Sequence, residues 1–180
     1  MNTRPIIVGT VIRFARAGAT SVSPAGPVSV ALKPDATDAA FRSLGTVAEG
    51  SVQTEWTERK IYAPVNGAKQ LADVIRIPRE MMVTVTLEDY SDEVSAMLFG
   101  HEHLGGTGGQ FNPGEQRTGT KGWLKLQQTD AVTGSNVTVL DIWCSARLTG
   151  AVSFGDEGPR PEVEFTMLYA AGNTGTLLAA

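Results

Sequence analysis

Residues 81–100, MMVTVTLEDYSDEVSAMLFG, join a strictly alternating segment to an amphipathic one across a short acidic turn, and this junction constrains the fold more than any other stretch. Met81, Val83, Val85 and Leu87 share one face of an extended chain, and Met82, Thr84, Thr86 and Glu88 share the other, the period-2 pattern of a half-buried strand. Asp89, Ser91, Asp92 and Glu93 then place capping oxygens and negative charge where a helix exposes unpaired N–H groups. Val94, Met97 and Leu98 follow at i, i+3 and i+4, and Gly100 is a natural stop. So short a helix needs docking, so we expect it on the oily face of a sheet, with Thr84, Thr86 and Glu88 on the wet face.

Other segments repeat the alternation. Val47 to Tyr62 and Lys69 to Ile77 read as a hairpin around Asn66-Gly67, with Trp56 in the core and Pro78 ending the second strand. Leu124 and Leu126 alternate with Lys125 and Gln127; Leu140, Ile142, Cys144, Ala146 and Leu148 alternate with Asp141, Trp143, Ser145 and Arg147. Trp123 and Trp143 thus fall opposite the core face, as a subunit contact or as the far wall of a two-sided core. Val163, Phe165 and Met167 alternate with Glu162, Glu164 and Thr166. The pattern predicts a mainly β fold, a β-sandwich or partly open barrel with one short α-helix packed on the sheet. Residues 43–180 form this domain, with a Gly-rich loop at 101–120. Residues 1–42, broken by Pro24, Gly26, Pro27 and Pro34, read as an extended arm in which Arg13, Phe14 and Arg16 are the candidate contacts to a neighbouring subunit.

A formal net charge of −4 over 180 residues argues against a protein that grips nucleic acid electrostatically. Cys144 is the single cysteine, which excludes an internal disulfide and suits a reducing cytoplasm. No apolar run has the length of a signal peptide or a membrane span, so we expect neither export by that route nor membrane insertion.

Tests for chemistry point away from an enzyme. His101 and His103 would share a face on a strand and grip a metal, but no third or fourth ligand accompanies them and they open the Gly-rich loop. The Gly105 to Gly109 run lacks the Gly-Lys-Ser/Thr of a phosphate loop. Glu162 and Glu164 have the look of a wet strand face, and no G-x-S-x-G elbow occurs. We expect no catalytic residues, cofactor or metal; a metal hydrolase centred on His101 and His103 is the enzymatic rival.

An oily face under a helix, a polar face of Thr and Glu and a Gly/Pro-rich arm describe a self-assembling module. The chain resembles the tail tube (major tail) proteins of long-tailed, siphovirus-like bacteriophages in VTVTLEDYSDEVSAMLFG, in Leu44-Gly45 with the EGSVQTEWTERKIYA strand, and in the late run SARLTGAVSFGDEGPRPEVEF. The resemblance implies a β-sandwich subunit that builds stacked hexameric rings in the virion tail, after assembly in the host cytoplasm. It implies contacts with a tape-measure protein, a tail terminator and tail-tip proteins, and a lumen through which DNA passes without specific binding. In that setting Thr84, Thr86, Glu88, Glu162 and Glu164 are the lumen-facing candidates. The alternative is another ring- or shell-forming β module: a secretion-system tube, a decoration protein or a baseplate piece.

Overall fold

The computed structural model describes residues 7–65, 68–89, 91, 93–94, 120–130, 136–149 and 160–175. These residues are mainly β: β1 (Ile7–Arg16), β2 (Thr20–Val22), β3 (Ala25–Pro27), β4 (Arg42–Val65), β5 (Ala68–Leu87), β6 (Thr120–Asp130), β7 (Asn136–Leu148), β8 (Glu162–Met167) and β9 (Thr174–Gly175). Every pairing is antiparallel. The order β6-β1-β4-β5-β8-β7 returns to its start because β6 also pairs with β7. Six strands therefore close into a barrel, more complete than the partly open one expected, and closure satisfies the edges that an open sheet leaves bare.

Alternation explains what fills it. Ile12 and Phe14 of β1, Val83, Val85 and Leu87 of β5, Leu124 of β6, Ile142 and Cys144 of β7, and Val163 and Phe165 of β8 form one buried cluster. The Phe14 and Phe165 rings lie 6.0 Å apart within it. Burial pushes the Cys144 thiol up, and its Sγ donates to the Gly122 carbonyl at 3.6 Å. At Gly122, β1 and β6 approach so closely that a Cβ would fall on the Ala15 carbonyl oxygen and the Phe14 ring.

Where the helix was expected to start, Ser91 Oγ accepts from Val94 N at 3.3 Å, and Val94 is buried in the barrel cluster. Asp89 has a different role from the capping one assigned to it. Its carboxylate accepts from Thr46 N and ties the end of β5 to β4 beside Gly45, whose φ of 122° only glycine adopts readily. Residues 95–100 of the expected helix and the loop at 101–119 lie outside the described residues.

The N-terminal region departs from the arm predicted for it. β1 is a central strand, paired on one side with β4 and on the other with β6. Its alternating Ile12 and Phe14 supply the oily face that a barrel position requires. Residues 17–41 then cross the outer face of the barrel as a strap. Asp38 organises the strap, accepting from Ser21 Oγ and from the backbone N–H groups of Val22, Ser23 and Ala40. The Ala40 and Ser23 amides, foremost among these donors, hold its carboxyl below the usual carboxylate range.

A second correction concerns Pro78. The strand continues through it, because a register shift places Glu55 opposite Glu80 and Trp56 opposite Pro78, leaving Arg79 as the extra residue of a bulge. β4 and β5 are thus single strands of 24 and 20 residues.

Candidate functional site

Three surfaces of the barrel carry the candidate residues. The first is the outer face of β5, β8 and β7. Thr84 pairs with Glu164 and Thr86 with Glu162, and Glu164 pairs onward with Arg147, so four of the five lumen-facing candidates form one patch. Arg147 Nη2 lies 2.6 Å from Glu164 Oε1, and Thr149 Oγ1 donates to Glu162 Oε1 at 2.7 Å. The arginine neutralises one carboxylate, so the patch is hydroxyl-rich and only mildly acidic. Glu88 is exposed past the end of β5, its amide donating to the Thr46 carbonyl. Hydroxyls alternating with paired carboxylates on an outward face give it the chemistry of a wet wall.

The second surface is the outer face of β6 and β7 beneath the strap. Here Trp123 and Trp143 pack edge to face, 5.6 Å between centroids, with Phe41, Val28, Ala40, Ala15 and Ala170. Trp123 Nε1 donates to the Ser29 carbonyl at 2.9 Å. Both tryptophans are the far wall of a two-sided core, one of the two roles open to them in the sequence. Between strap and strands lies an ionic cluster built from residues that the alternation placed opposite the oily face. Lys125 is 1% exposed, with its Nζ 4.1 Å from the Phe41 ring centre and 3.7 Å from Asp141 Oδ2. Lys33 from the strap reaches the same Oδ2 at 2.9 Å and donates to the Gly172 carbonyl at 3.0 Å. Arg13 is Lys125's neighbour in register on β1. Burial lowers the Lys125 pKa, Asp141 opposes that, and Lys33 and Arg13 add to it. The tryptophans two residues from Lys125 and Asp141 on the same strand faces were the available sign that this wall is covered.

Of the arm candidates, Phe14 is fully buried inside the barrel and therefore unavailable to a neighbour. Arg13 lies on the opposite side of β1, toward the strap-covered wall, in register with Lys125, whereas Arg16, two residues beyond Phe14, falls on Phe14's side at the end of the strand, in register with Gly122.

The third surface is the long hairpin, which the sequence predicted; that its outer part leaves the barrel was missed, because Trp56 was placed in the core and the second strand was ended at Pro78. β1 accompanies β4 only up to Thr46, and β8 accompanies β5 only from Met82. Beyond those points, among the described residues, the two strands pair with each other alone, out to Val65 opposite Ala68. Trp56, placed in the core by its alternation, is 56% exposed, because the part of β4 that carries it has left the barrel. Val52, Ile61, Tyr62, Leu71, Ile75 and Ile77 are also exposed. The available signal was the loss of clean alternation after Trp56.

Among the described residues, no three His, Cys, Asp or Glu side chains are grouped to hold a metal ion, and His101 and His103 lie outside them. Among the same residues, no helix is long and apolar enough to cross a membrane. The chain matches no protein-family model and no curated protein.

Proposed function

We propose that this chain is a structural subunit that assembles with copies of itself into stacked hexameric rings, forming the tube of a long-tailed bacteriophage tail through which the genome leaves. The hairpin carries this reading. Two strands whose outer edges are bare among the described residues, with exposed aromatic and aliphatic side chains, are marginal alone in water and a template for another chain. The closed barrel supplies a rigid body from which such an element projects.

In this reading the patch of Thr84, Thr86, Glu162 and Glu164 faces the lumen, where hydroxyls and uncompensated negative charge keep passing phosphates from adhering. The tape-measure protein, the terminator and the tail tip are the further partners, in the virion. Neither enzymatic chemistry nor a cofactor enters the role.

Negative-stain electron microscopy of the purified chain over a concentration series tests the proposal. Long hollow tubes are the expected product. Isolated rings or trimers would move the assignment to a secretion, decoration or baseplate module, and a chain that stays monomeric with tail-tip proteins added would overturn self-assembly.

A further inference from the structure

Within the barrel, β5 divides its side chains cleanly: Val83, Val85 and Leu87 are buried inward, and Thr84 and Thr86 lie on the outer face. The same strand abandons that division in the hairpin. Cross-strand register puts Trp56 with Pro78 and Tyr62 with Leu71 on one face. It puts Thr57 with Ile77, Arg59 with Ile75 and Ile61 with Asp73 on the other. Trp56, Tyr62 and Leu71 are 56, 54 and 54% exposed on the first face; Ile61, Ile75 and Ile77 are 40, 42 and 52% exposed on the second. A ribbon that lies against one partner needs one apolar face, with its polar residues turned to water. This one is apolar on two.

Charge indicates what covers it. Residues 57–77 carry Arg59, Lys60, Lys69 and Arg76 against Glu58 and Asp73, a formal +2, so the remainder of a chain of net charge −4 carries −6. The outer half of the hairpin is thus complementary to the body of another copy of the same chain. The Glu58–Arg76 ion pair at 3.0 Å is internal to one face and leaves the remaining cations to face outward.

We infer that each hairpin is inserted between two further copies of this chain, one covering the Trp56/Tyr62/Leu71 face and the other the Ile61/Ile75/Ile77 face. The inference rests on the self-assembly reading above and adds that assembly uses two separable contacts on one element. Two full-length variants test it, Trp56→Ser with Tyr62→Ser and Ile75→Ser with Ile77→Ser. All four positions lie outside the barrel, so both variants should keep the far-ultraviolet circular dichroism of the parent. Sedimentation velocity and electron microscopy should show loss of tubes in both, arrested at two different particle sizes. Arrest of both at one size, or tubes from either variant, would overturn the inference while leaving self-assembly standing. A parent chain that never assembles would overturn both.

Discussion

Two walls of this molecule present tryptophan on a sheet surface, and the chain treats them oppositely. On β6 and β7, Trp123 and Trp143 are covered by residues 17–41, which bring Val28, Ala40 and Phe41 against them. On the hairpin, Trp56 and Tyr62 stay 56 and 54% exposed among the described residues. Identical chemistry therefore serves a finished interior in one place and an unfinished surface in the other. Magnitudes show why the second needs many contacts. Three half-exposed apolar side chains on a face contribute about 3 kcal/mol when covered. Association itself costs roughly 4–15 kcal/mol in lost freedom, so one face gives no stable pair and contacts repeated on two faces and along bare edges do.

The comparison breaks most visibly if the two walls are truncated in parallel. Trp123→Ala empties a fully buried site and should cost about 4 kcal/mol in urea unfolding. Trp56→Ala, on the open wall, should change the unfolding of the dissociated subunit by less than about 1 kcal/mol. Equal losses would mean that the hairpin is packed within the monomer after all. Next in size is Asp141→Ala. It strips the buried Lys125 ammonium of its carboxylate and removes the ion pair that ties Lys33 to β7, at about 3 kcal/mol. A variant as stable as the parent would show that the cluster does not fasten the strap.

Strict alternation made much of the barrel legible. Period alone put Thr84 and Thr86 on the polar face of one strand and Glu162 and Glu164 on that of another, and the pairing of β5 with β8 joins them. What stayed hidden depends on contacts remote in sequence. Trp123 meets Ser29, and Lys125 meets Phe41 and Asp141, partners that no local pattern links. A Gly/Pro-rich run looks equally like a loose arm and a strap, because what orders it is the wall it crosses. Pro78 misled for a local reason: a bulge absorbs a residue that lacks an N–H, and sequence shows the proline without the register shift. Most of the hairpin's apolar residues were visible, but their exposure follows from β1 and β8 ending early.

Lys125→Met sharpens the comparison from the covered side. The parent lysine is disfavoured in its charged form by burial, so its folded pKa lies below the ordinary 10.5. A lowered lysine contributes most stability above its unfolded pKa and loses it as pH falls toward the folded value. Methionine fills the same space without the penalty, and Asp141 keeps Lys33. The variant should be about 1 kcal/mol more stable at neutral pH, with the advantage shrinking as pH rises toward 10.5. A destabilised variant would show that the Lys125–Asp141 attraction outweighs desolvation.

The smallest effect on the whole molecule belongs to Asp38, since the β2–β3 tip it organises stands outside the barrel. Its carboxyl is held below the ordinary 3.8 mainly by the Ala40 and Ser23 amides. A depressed carboxyl contributes stability that is complete above its unfolded pKa and fades as pH falls through the folded one. Hydrogen exchange should therefore show the Val22, Ser23 and Ala40 amides losing protection as pH drops below 3.8, while Val83 and Val85 in the barrel keep theirs. Asp38→Ala should remove the selective protection at neutral pH. Simultaneous loss in strap and barrel would mean that the strap is part of one cooperative unit, and the covered wall would then owe its stability to the strap as much as the strap does to the wall.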